Sequence, residues 1–210
     1  MVLIIDTETT GLSGYPKDRV LEIGIAEYDE VSGNISPVYS EMIRYDDIVD
    51  FNSKYVNIDG SRGIWIYRNS DMRVEDTLNA AKDLDTVVRE VREIVSGKEV
   101  TSYNVGFDFG KFLYHEPWNL KELCSVPYDI MELATKRVYS LAEDDLIQDK
   151  MLQDRLLRER EESYYPNKWI RSIDAYRALC PEDPMGLEGM RHRAVDDAVM
   201  EWWILKTLRL

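Results

Sequence analysis

The 210-residue chain is poor in cysteine, histidine and basic residues, and it contains no long hydrophobic run. Its two cysteines, Cys124 and Cys180, lie far apart and have no C-x-x-C spacing, so they do not form a disulfide framework. No apolar run approaches the roughly 20 residues that a membrane span requires. The N-terminal residues lack the basic leader of a signal peptide. We therefore expect a cytoplasmic protein with no membrane partner.

The shortage of basic residues limits the substrates that the protein can hold. The chain has 26 Lys and Arg against 40 Asp and Glu, which gives a net charge of −14. Proteins that coat long nucleic acids usually present a basic face, because phosphate neutralisation supplies much of their affinity. Carboxylates that hold divalent cations are counted as negative, although the bound ions reverse the local field. The balance favours short substrates, a weak grip, or tethering by a partner.

Hydrophobic patterns predict a single α/β domain over residues 1–210. Apolar residues make up 44% of the chain and charged residues 31%, which is typical of a globular fold. Strands are predicted at 2–5, 20–28, 38–43 and 99–103, and helices at 74–95, 108–114, 129–134 and 195–208. Asp129 and Glu132 are spaced as an N-cap and capping box. Residues 46–73 have no clear period and predict an irregular connection.

A densely charged segment, residues 136–171, predicts a helical insertion, either one long helix or a helical hairpin. It contains 8 basic and 8 acidic residues, so the rest of the chain carries the whole negative charge. One interpretation is a solvated helical surface. The other is a lid or guiding arm for substrate, in which the cations are Arg155, Arg158, Arg160, Lys168 and Arg171.

Two carboxylates follow the first predicted strand. Asp6 and Glu8 are two residues apart, so the alternation of a strand places both on one face and Thr7 on the other. Paired carboxylates repel each other unless a cation lies between them. Oxygen ligands of this kind suit Mg²⁺ or Mn²⁺.

Three motifs occur in order along the chain. The first is DTETTGL at residues 6–12, the second is SYNVGFD at 102–108, and the third is HRAVDDA at 192–198. His192 and Asp197 would differ by roughly 140° on one ideal helix and so would not share a face. Gly186 and Gly189 instead predict a loop that carries His192 to the start of the last helix.

Together the motifs resemble those of the DEDDh branch of the DEDD, or DnaQ-like, 3′→5′ exonuclease superfamily, and the resemblance covers most of the chain. It implies an RNase H-like α/β fold, with a mixed five-stranded sheet flanked by helices. It also implies a site in which two divalent ions, Mg²⁺ or Mn²⁺, are held by Asp6, Glu8, Asp197 and, directly or through water, Asp108. His192 would be the general base, because an imidazole titrates near neutral pH.

The resemblance further implies a set of substrate contacts. Thr9, Thr10 and Leu12 match positions that hold the terminal nucleotide, and Leu12 would wedge against the last base. Asn104 and Phe107 would support the site by hydrogen bonding and packing. The implied substrate is the 3′ end of single-stranded DNA or RNA, with nucleoside 5′-monophosphates as products.

Several alternatives stay open from the sequence. The chain resembles an oligoribonuclease or RNA-trimming enzyme as well as a DNA exonuclease. A catalytically silent module that binds nucleic acid or protein, and a phosphodiesterase that acts on small nucleotides, would use the same fold. A homodimer and tethering to a polymerase or another nucleic-acid enzyme are also open.

Overall fold

A mixed five-stranded sheet forms the centre of the protein. The computed structural model describes residues 2–29, 32–164, 168–186 and 193–208. The strands are β1 (Val2–Thr9), β2 (Val20–Tyr28), β3 (Ile35–Arg44), β4 (Lys82–Asp83) and β5 (Glu99–Thr101). Their order is β4-β3-β2-β1-β5. β2 is antiparallel to both β1 and β3, whereas β5 is parallel to β1 and β4 is parallel to β3. The predicted mixed five-stranded sheet is confirmed.

Helices cover the sheet on both faces. They are α1 (Ile48–Lys54), α2 (Ile66–Asn69), α3 (Val74–Leu78), α4 (Leu84–Val95), α5 (Val105–Phe107), a π-helix (Asp108–Leu113), a 3₁₀ turn (Leu120–Glu122), α6 (Ile130–Glu143), α7 (Lys150–Glu161), α8 (Ser172–Leu179) and α9 (Ala194–Leu208). Helices α6 to α9 enclose one hydrophobic cluster, and α4 and the π-helix enclose another on the opposite face.

Strand β1 separates these two clusters because its side chains alternate between them. Ile4 belongs to the cluster under α9, whereas Leu3 and Ile5 belong to the cluster under α4 and the π-helix. All three are at most 1% exposed. The short apolar run at the N-terminus is therefore a strand buried on both faces, as predicted. By the same alternation, Asp6 and Glu8 lie on the face that α9 covers.

Helix α9 approaches the sheet most closely at Gly24 of β2. A Cβ atom at Gly24 would lie 2.2 Å from the carbonyl carbon of Ala194 and 2.2 Å from the backbone nitrogen of Val195. No side chain fits there, so glycine sets the depth at which the first turn of α9 rests on β2. Gly24 is the register partner of Asp6, and the close approach therefore lies beside the first carboxylate.

The segment from 46 to 95 differs from the prediction. Residues 46–73 contain α1 and α2. Ile48 of α1, Ile66 of α2 and Ile64, just before α2, pack into a small third cluster with Leu21 of β2. The predicted helix 74–95 is two helices separated by β4. The break arises because Asp83 caps α4, its side chain accepting from the backbone N–H of Thr86 at 2.9 Å.

The charged segment is a helical hairpin, one of its two predicted forms, but its first helix begins at Ile130, before residue 136. Asp129 caps that helix, accepting from the backbone of Met131 at 2.8 Å. The predicted capping box is wrong, because the side chain of Glu132 pairs with Lys136 at 2.7 Å instead. Helix α8, which follows the hairpin, is absent from the prediction.

Most basic side chains of the hairpin are held by nearby carboxylates. Arg155 and Arg171 pair with Asp174, Arg160 pairs with Glu143, and Lys168 pairs with Glu159. Four of the five cations assigned to a substrate-guiding arm are thus engaged within the hairpin and its surroundings. The pairing favours the first interpretation, a solvated and internally neutralised surface.

Cys124 and Cys180 are both free thiols, and Cys180 is buried. Among the described residues, no helix combines the length and the apolar character that crossing a bilayer demands.

The contact between Gly24 and α9 makes a first testable prediction. We expect Gly24→Ala to lower the free energy of unfolding by at least roughly 1–3 kcal/mol, because the added methyl group meets backbone atoms that cannot rotate away. Thermal unfolding measures the change. Gly110→Ala is the matched control, since the nearest atom to its new Cβ is 3.8 Å away. Equal melting temperatures for the two variants would contradict the predicted close contact.

Candidate active site

Three carboxylates converge where the first strand meets the last helix. Asp6 and Glu8 lie near the end of β1, and Asp197 lies in the first turn of α9. One carboxylate oxygen from each residue lies within 4.8 Å of the other two. β1 is longer than predicted and includes both of its acids, so the rigid sheet holds them in place.

Asp108 reaches the same region from the other side of β1. It begins the π-helix, is 4% exposed, and accepts a hydrogen bond from the Thr7 hydroxyl at 2.7 Å. Thr7 does point away from Asp6 and Glu8, as predicted, and this orientation is what joins it to Asp108. Asp108 does not belong to the group within 4.8 Å. Its place suits an indirect contact with a cation, through water.

Glu22 anchors the beginning of α9 to the sheet. Its fully buried carboxylate accepts from the Arg193 Nε at 2.9 and 3.0 Å, from the Arg193 terminal nitrogen, and from the Ala194 backbone N–H at 3.2 Å. Glu22 is also the strand partner of Glu8. The pair thereby fixes the first turn of α9, and with it Asp197, against β2, the strand next to the one that carries Asp6 and Glu8.

Glu201 is a further buried acid that the sequence motifs do not include. It is 2% exposed and accepts from the Tyr103 backbone N–H at 3.0 Å, which ties α9 to the second motif. Its position four residues after Asp197 places both on one face of α9. That i, i+4 spacing is the signal by which the sequence alone indicates Glu201.

Burial raises the pKa values of these acids, and repulsion between neighbouring carboxylates adds to the effect for Glu8 and Asp197. Burial, with repulsion from Asp197 and Glu22, raises the pKa of Glu8 to about 9. Burial, with repulsion from Asp196 and Glu22, raises the pKa of Asp197 to about 7. Burial raises the pKa of Asp108 to about 6, although the Thr7 hydroxyl opposes the shift.

The pKa values of Asp6 and Glu201 are raised for the same kind of reason. Burial and then the charge of Glu201 hold the pKa of Asp6 well above its ordinary range. Burial, followed by repulsion from Asp108 and Asp197, does the same for the pKa of Glu201. A divalent cation would remove this repulsion, because it favours the charged form of every nearby carboxylate. The all-oxygen donor set therefore fits a hard divalent cation.

The predicted nucleotide contacts on the loop after β1 have different environments. The Thr9 hydroxyl donates to the Gly11 carbonyl at 2.9 Å. Thr10 is fully buried, and its hydroxyl accepts from the Arg19 backbone N–H at 3.0 Å, so its side chain supports the loop and does not face a ligand. Leu12 is 62% exposed and is available to pack against a base.

Asn104 and Phe107 of the second motif make contacts within the protein. The Asn104 side chain accepts from the Phe107 backbone N–H at 3.2 Å and so begins the turn before Asp108. The Phe107 ring packs edge-on against Phe112, with centroids 5.4 Å apart. His192 and Gly189 lie outside the described residues. Arg193, the residue after His192, is described and is held by Glu22.

The RNase H-like sheet and the carboxylates at the end of its first strand define an exonuclease domain. The chain matches the RNase_T exonuclease family model over residues 3–204, and it belongs to that family. Membership confirms the resemblance to the DEDDh exonucleases carried by the three motifs. Enzymes of the DEDD superfamily use divalent metal ions, in agreement with the acidic cluster.

Solved structures show the same fold at low sequence identity. Exonuclease I of E. coli in complex with a 5cy-dT13 oligonucleotide has a TM-score of 0.59 and 14% identity, covering 99% of this chain and 40% of that one. Exonuclease I of Methylocaldum szegediense has a TM-score of 0.59, 15% identity and the same coverage. The nuclease domain of 3′hExo, a DEDDh family member bound to rAMP, has a TM-score of 0.52 and 12% identity, covering 99% and 90%.

The chain is much shorter than some of these proteins. It spans about two fifths of the length of each exonuclease I chain. None of the curated protein sequences resembles this chain closely enough to count as a match. The fold and the family are therefore established without a close relative.

The raised pKa values predict how stability depends on pH without metal. Folded-state pKa values of about 6, 7 and 9 for Asp108, Asp197 and Glu8 lie above those of the unfolded chain. Their contribution to stability is complete below the pKa of the unfolded carboxyl groups, about 4, and is lost progressively as pH rises from there to about 9. We expect the melting temperature in EDTA to fall by several degrees across this window, and Mn²⁺ to restore it.

One substitution and its control test whether Glu201 contributes to this pH dependence. Glu201→Gln keeps an acceptor for the Tyr103 backbone and removes one charge, so its melting temperature should fall less with pH. Glu132→Gln, on the exposed face of α6, is the matched control and should behave as the wild type. A melting temperature that does not change with pH in EDTA would contradict the raised pKa values of these buried carboxyl groups.

Proposed function

We propose that this protein is a two-metal-ion 3′→5′ exonuclease that removes nucleotides from single-stranded DNA or RNA and releases nucleoside 5′-monophosphates. The observation that carries the proposal is the convergence of Asp6, Glu8 and Asp197 within 4.8 Å, in a chain that belongs to an exonuclease family. These three residues would hold the ions, and Asp108 would assist through water. Bound divalent ions, Mg²⁺ or Mn²⁺, would activate the attacking water and neutralise charge on the leaving 3′-oxygen.

The residues of the chain have distinct roles in this proposal. His192 accepts the proton of the attacking water as general base. Thr9 and the exposed Leu12 contact the terminal nucleotide, and Thr10 holds the loop that carries them. Asn104 and Phe107 hold the turn that presents Asp108.

No single contact among the described residues distinguishes DNA from RNA as the substrate. Related structures hold both kinds of nucleic acid: E. coli exonuclease I is in complex with a dA16 oligonucleotide, and 3′hExo is bound to rAMP. Both DNA and RNA are therefore proposed as substrates, with an RNA-trimming role as the narrower alternative.

A time course on 5′-labelled single-stranded DNA and RNA tests the activity. With Mg²⁺ or Mn²⁺ we expect a ladder that shortens from the 3′ end, and with EDTA we expect none. Asp6→Asn should lower the rate by at least roughly a hundredfold, because metal ions supply several kcal/mol of transition-state stabilisation. Asp50→Asn, at an exposed carboxylate paired with Lys54, is the control.

Two outcomes would redirect the proposal. Intact strands with both metals would favour a silent binding module on the same fold. Turnover of a small nucleotide ester without turnover of oligomers would favour a phosphodiesterase that acts on small molecules.

The proposed base makes a separate prediction. We expect His192→Gln to lower kcat by roughly 10²- to 10⁴-fold, the usual contribution of a positioned general base. The affinity for Mn²⁺, measured by calorimetry, should stay close to that of the wild type, because His192 is not among the proposed ligands. A large loss of Mn²⁺ affinity with unchanged kcat at saturating metal would assign His192 to metal binding instead.

A further inference from the structure

The loop after β1 and the π-helix run side by side away from the carboxylates. Their contacts occur in the same order along both segments. The Thr7 hydroxyl donates to Asp108 at 2.7 Å, Lys111 Nζ donates to the Leu12 carbonyl at 2.5 Å, and the Tyr15 backbone N–H donates to the Lys111 carbonyl at 3.0 Å. Two chain segments thus form one continuous surface that begins at the candidate active site.

The far end of this surface is a pair of stacked rings. The rings of Tyr15 and His115 have centroids 5.8 Å apart and planes inclined by 14°. Tyr15 is 46% exposed, and His115 is exposed. The His115 ring is held in place by a contact of 2.9 Å between its Nε2 and the Gly110 carbonyl. A flat and oriented aromatic surface of this kind faces solvent at a substantial cost in hydration.

Hydrogen bonds to a single carboxylate hold the loop in place. The carboxylate of Asp18 accepts from the backbone N–H groups of Ser13 at 2.5 Å and Gly14 at 3.1 Å, and from the Tyr55 hydroxyl at 2.5 Å. Gly14 has a φ of +84°, and a Cβ there would lie 2.8 Å from the Cβ of Lys111. Glycine therefore allows the loop to lie directly on the π-helix.

The chemistry of this surface suits a single strand of nucleic acid. It combines an exposed apolar side chain, Leu12, an ammonium group, Lys111, and the stacked rings. Proteins that bind single strands without sequence preference stack bases on aromatic rings and place cations along the backbone. Lys111 Nζ donates to the Leu12 carbonyl and lies 5.4 Å from the centroid of the Phe107 ring, but it makes no ion pair with a described residue, so no carboxylate neutralises its charge near a phosphate. In a protein of charge −14, stacking must supply more of the affinity than phosphate neutralisation does.

We propose that the surface beyond Leu12, which contacts the terminal nucleotide, is a binding strip in which Lys111 and the stacked rings of Tyr15 and His115 hold the nucleotides that precede the terminal one. The proposal rests on the proposed exonuclease function, because the carboxylates define where the terminal linkage lies. The strip is exposed along its length. This exposure is required because the substrate strand leaves the active site towards solvent along it. The rings stack against bases and Lys111 binds one phosphate, so the strip requires a substrate of several nucleotides.

Kinetics on two substrates test the strip. The substrates are an oligothymidylate of eight nucleotides and thymidine 5′-p-nitrophenyl phosphate, which has no preceding nucleotide. The double variant Tyr15→Ala with His115→Ala should lower the ratio of kcat/KM for the oligomer to kcat/KM for the ester by roughly five- to a hundredfold. The change should come from a higher KM for the oligomer. Tyr15→Phe keeps the ring and should keep the ratio. Trp169→Ala, at an exposed ring beside α7, is the matched control.

A modified oligomer locates the contact. Replacing the second and third nucleotides from the 3′ end by abasic residues should weaken binding to the wild type. The same replacement should have little further effect on the double variant, because the partner rings are already absent. Additive losses from the two changes, or an equal loss of kcat/KM on both substrates, would overturn the strip.

Binding distinguishes a failure of the strip from a failure of the proposed function. Fluorescence anisotropy with the 5′-labelled oligomer, measured on Asp6→Asn protein with and without the double substitution, requires no turnover. Weaker binding after the double substitution supports the strip even if the wild type is inactive. Unchanged binding overturns the strip even if the wild type is an active exonuclease.

Discussion

The carboxylates of Asp6, Glu8 and Asp197 are held within 4.8 Å of one another, although they come from the first strand and the last helix. Such groups repel each other, and repulsion and burial together raise the pKa of Glu8 to about 9. The fold holds them together through the contact of Gly24 with α9 and the ion pair between Glu22 and Arg193. A site of this kind is stable in its charged form only with a cation.

Strand β1 organises the site because its two faces serve different purposes. Residues on one face, beginning with Ile4, lead to the acids under α9. Thr7 on the other face leads to Asp108 and the π-helix. The loop beyond the strand then lies on that helix and carries Leu12 and Tyr15 to the surface. One strand with its loop thus links the clustered carboxylates to the proposed path of the substrate.

The distribution of charge agrees with this arrangement. Residues 136–171 are densely charged but neutral in sum, and Arg155 and Lys168 in this segment pair with the carboxylates of Asp174 and Glu159. Arg155 therefore stabilises the packing of α7 on α8 and is not free to grip phosphate. With this region neutralised and the remainder acidic, a substrate is better held by stacking and by metal ions than by a basic groove. The acidic composition and a nuclease fold are consistent for that reason.

Local features of the fold could be predicted because they depend on neighbouring residues. Alternation and apolar runs indicated β1, β2 and the last helix, and motif order indicated Asp6, Glu8, Asp108 and Asp197 as one group. Tertiary structure alone decided three contacts: Thr7 with Asp108, Tyr103 with Glu201, and Arg193 with Glu22. The partners are separated in the sequence by 101, 98 and 171 positions, respectively. It also decided α1 and α8, whose weak patterns are stabilised by packing. A sequence pattern records the period of one element, whereas the partner of a buried polar group is chosen by how the elements pack.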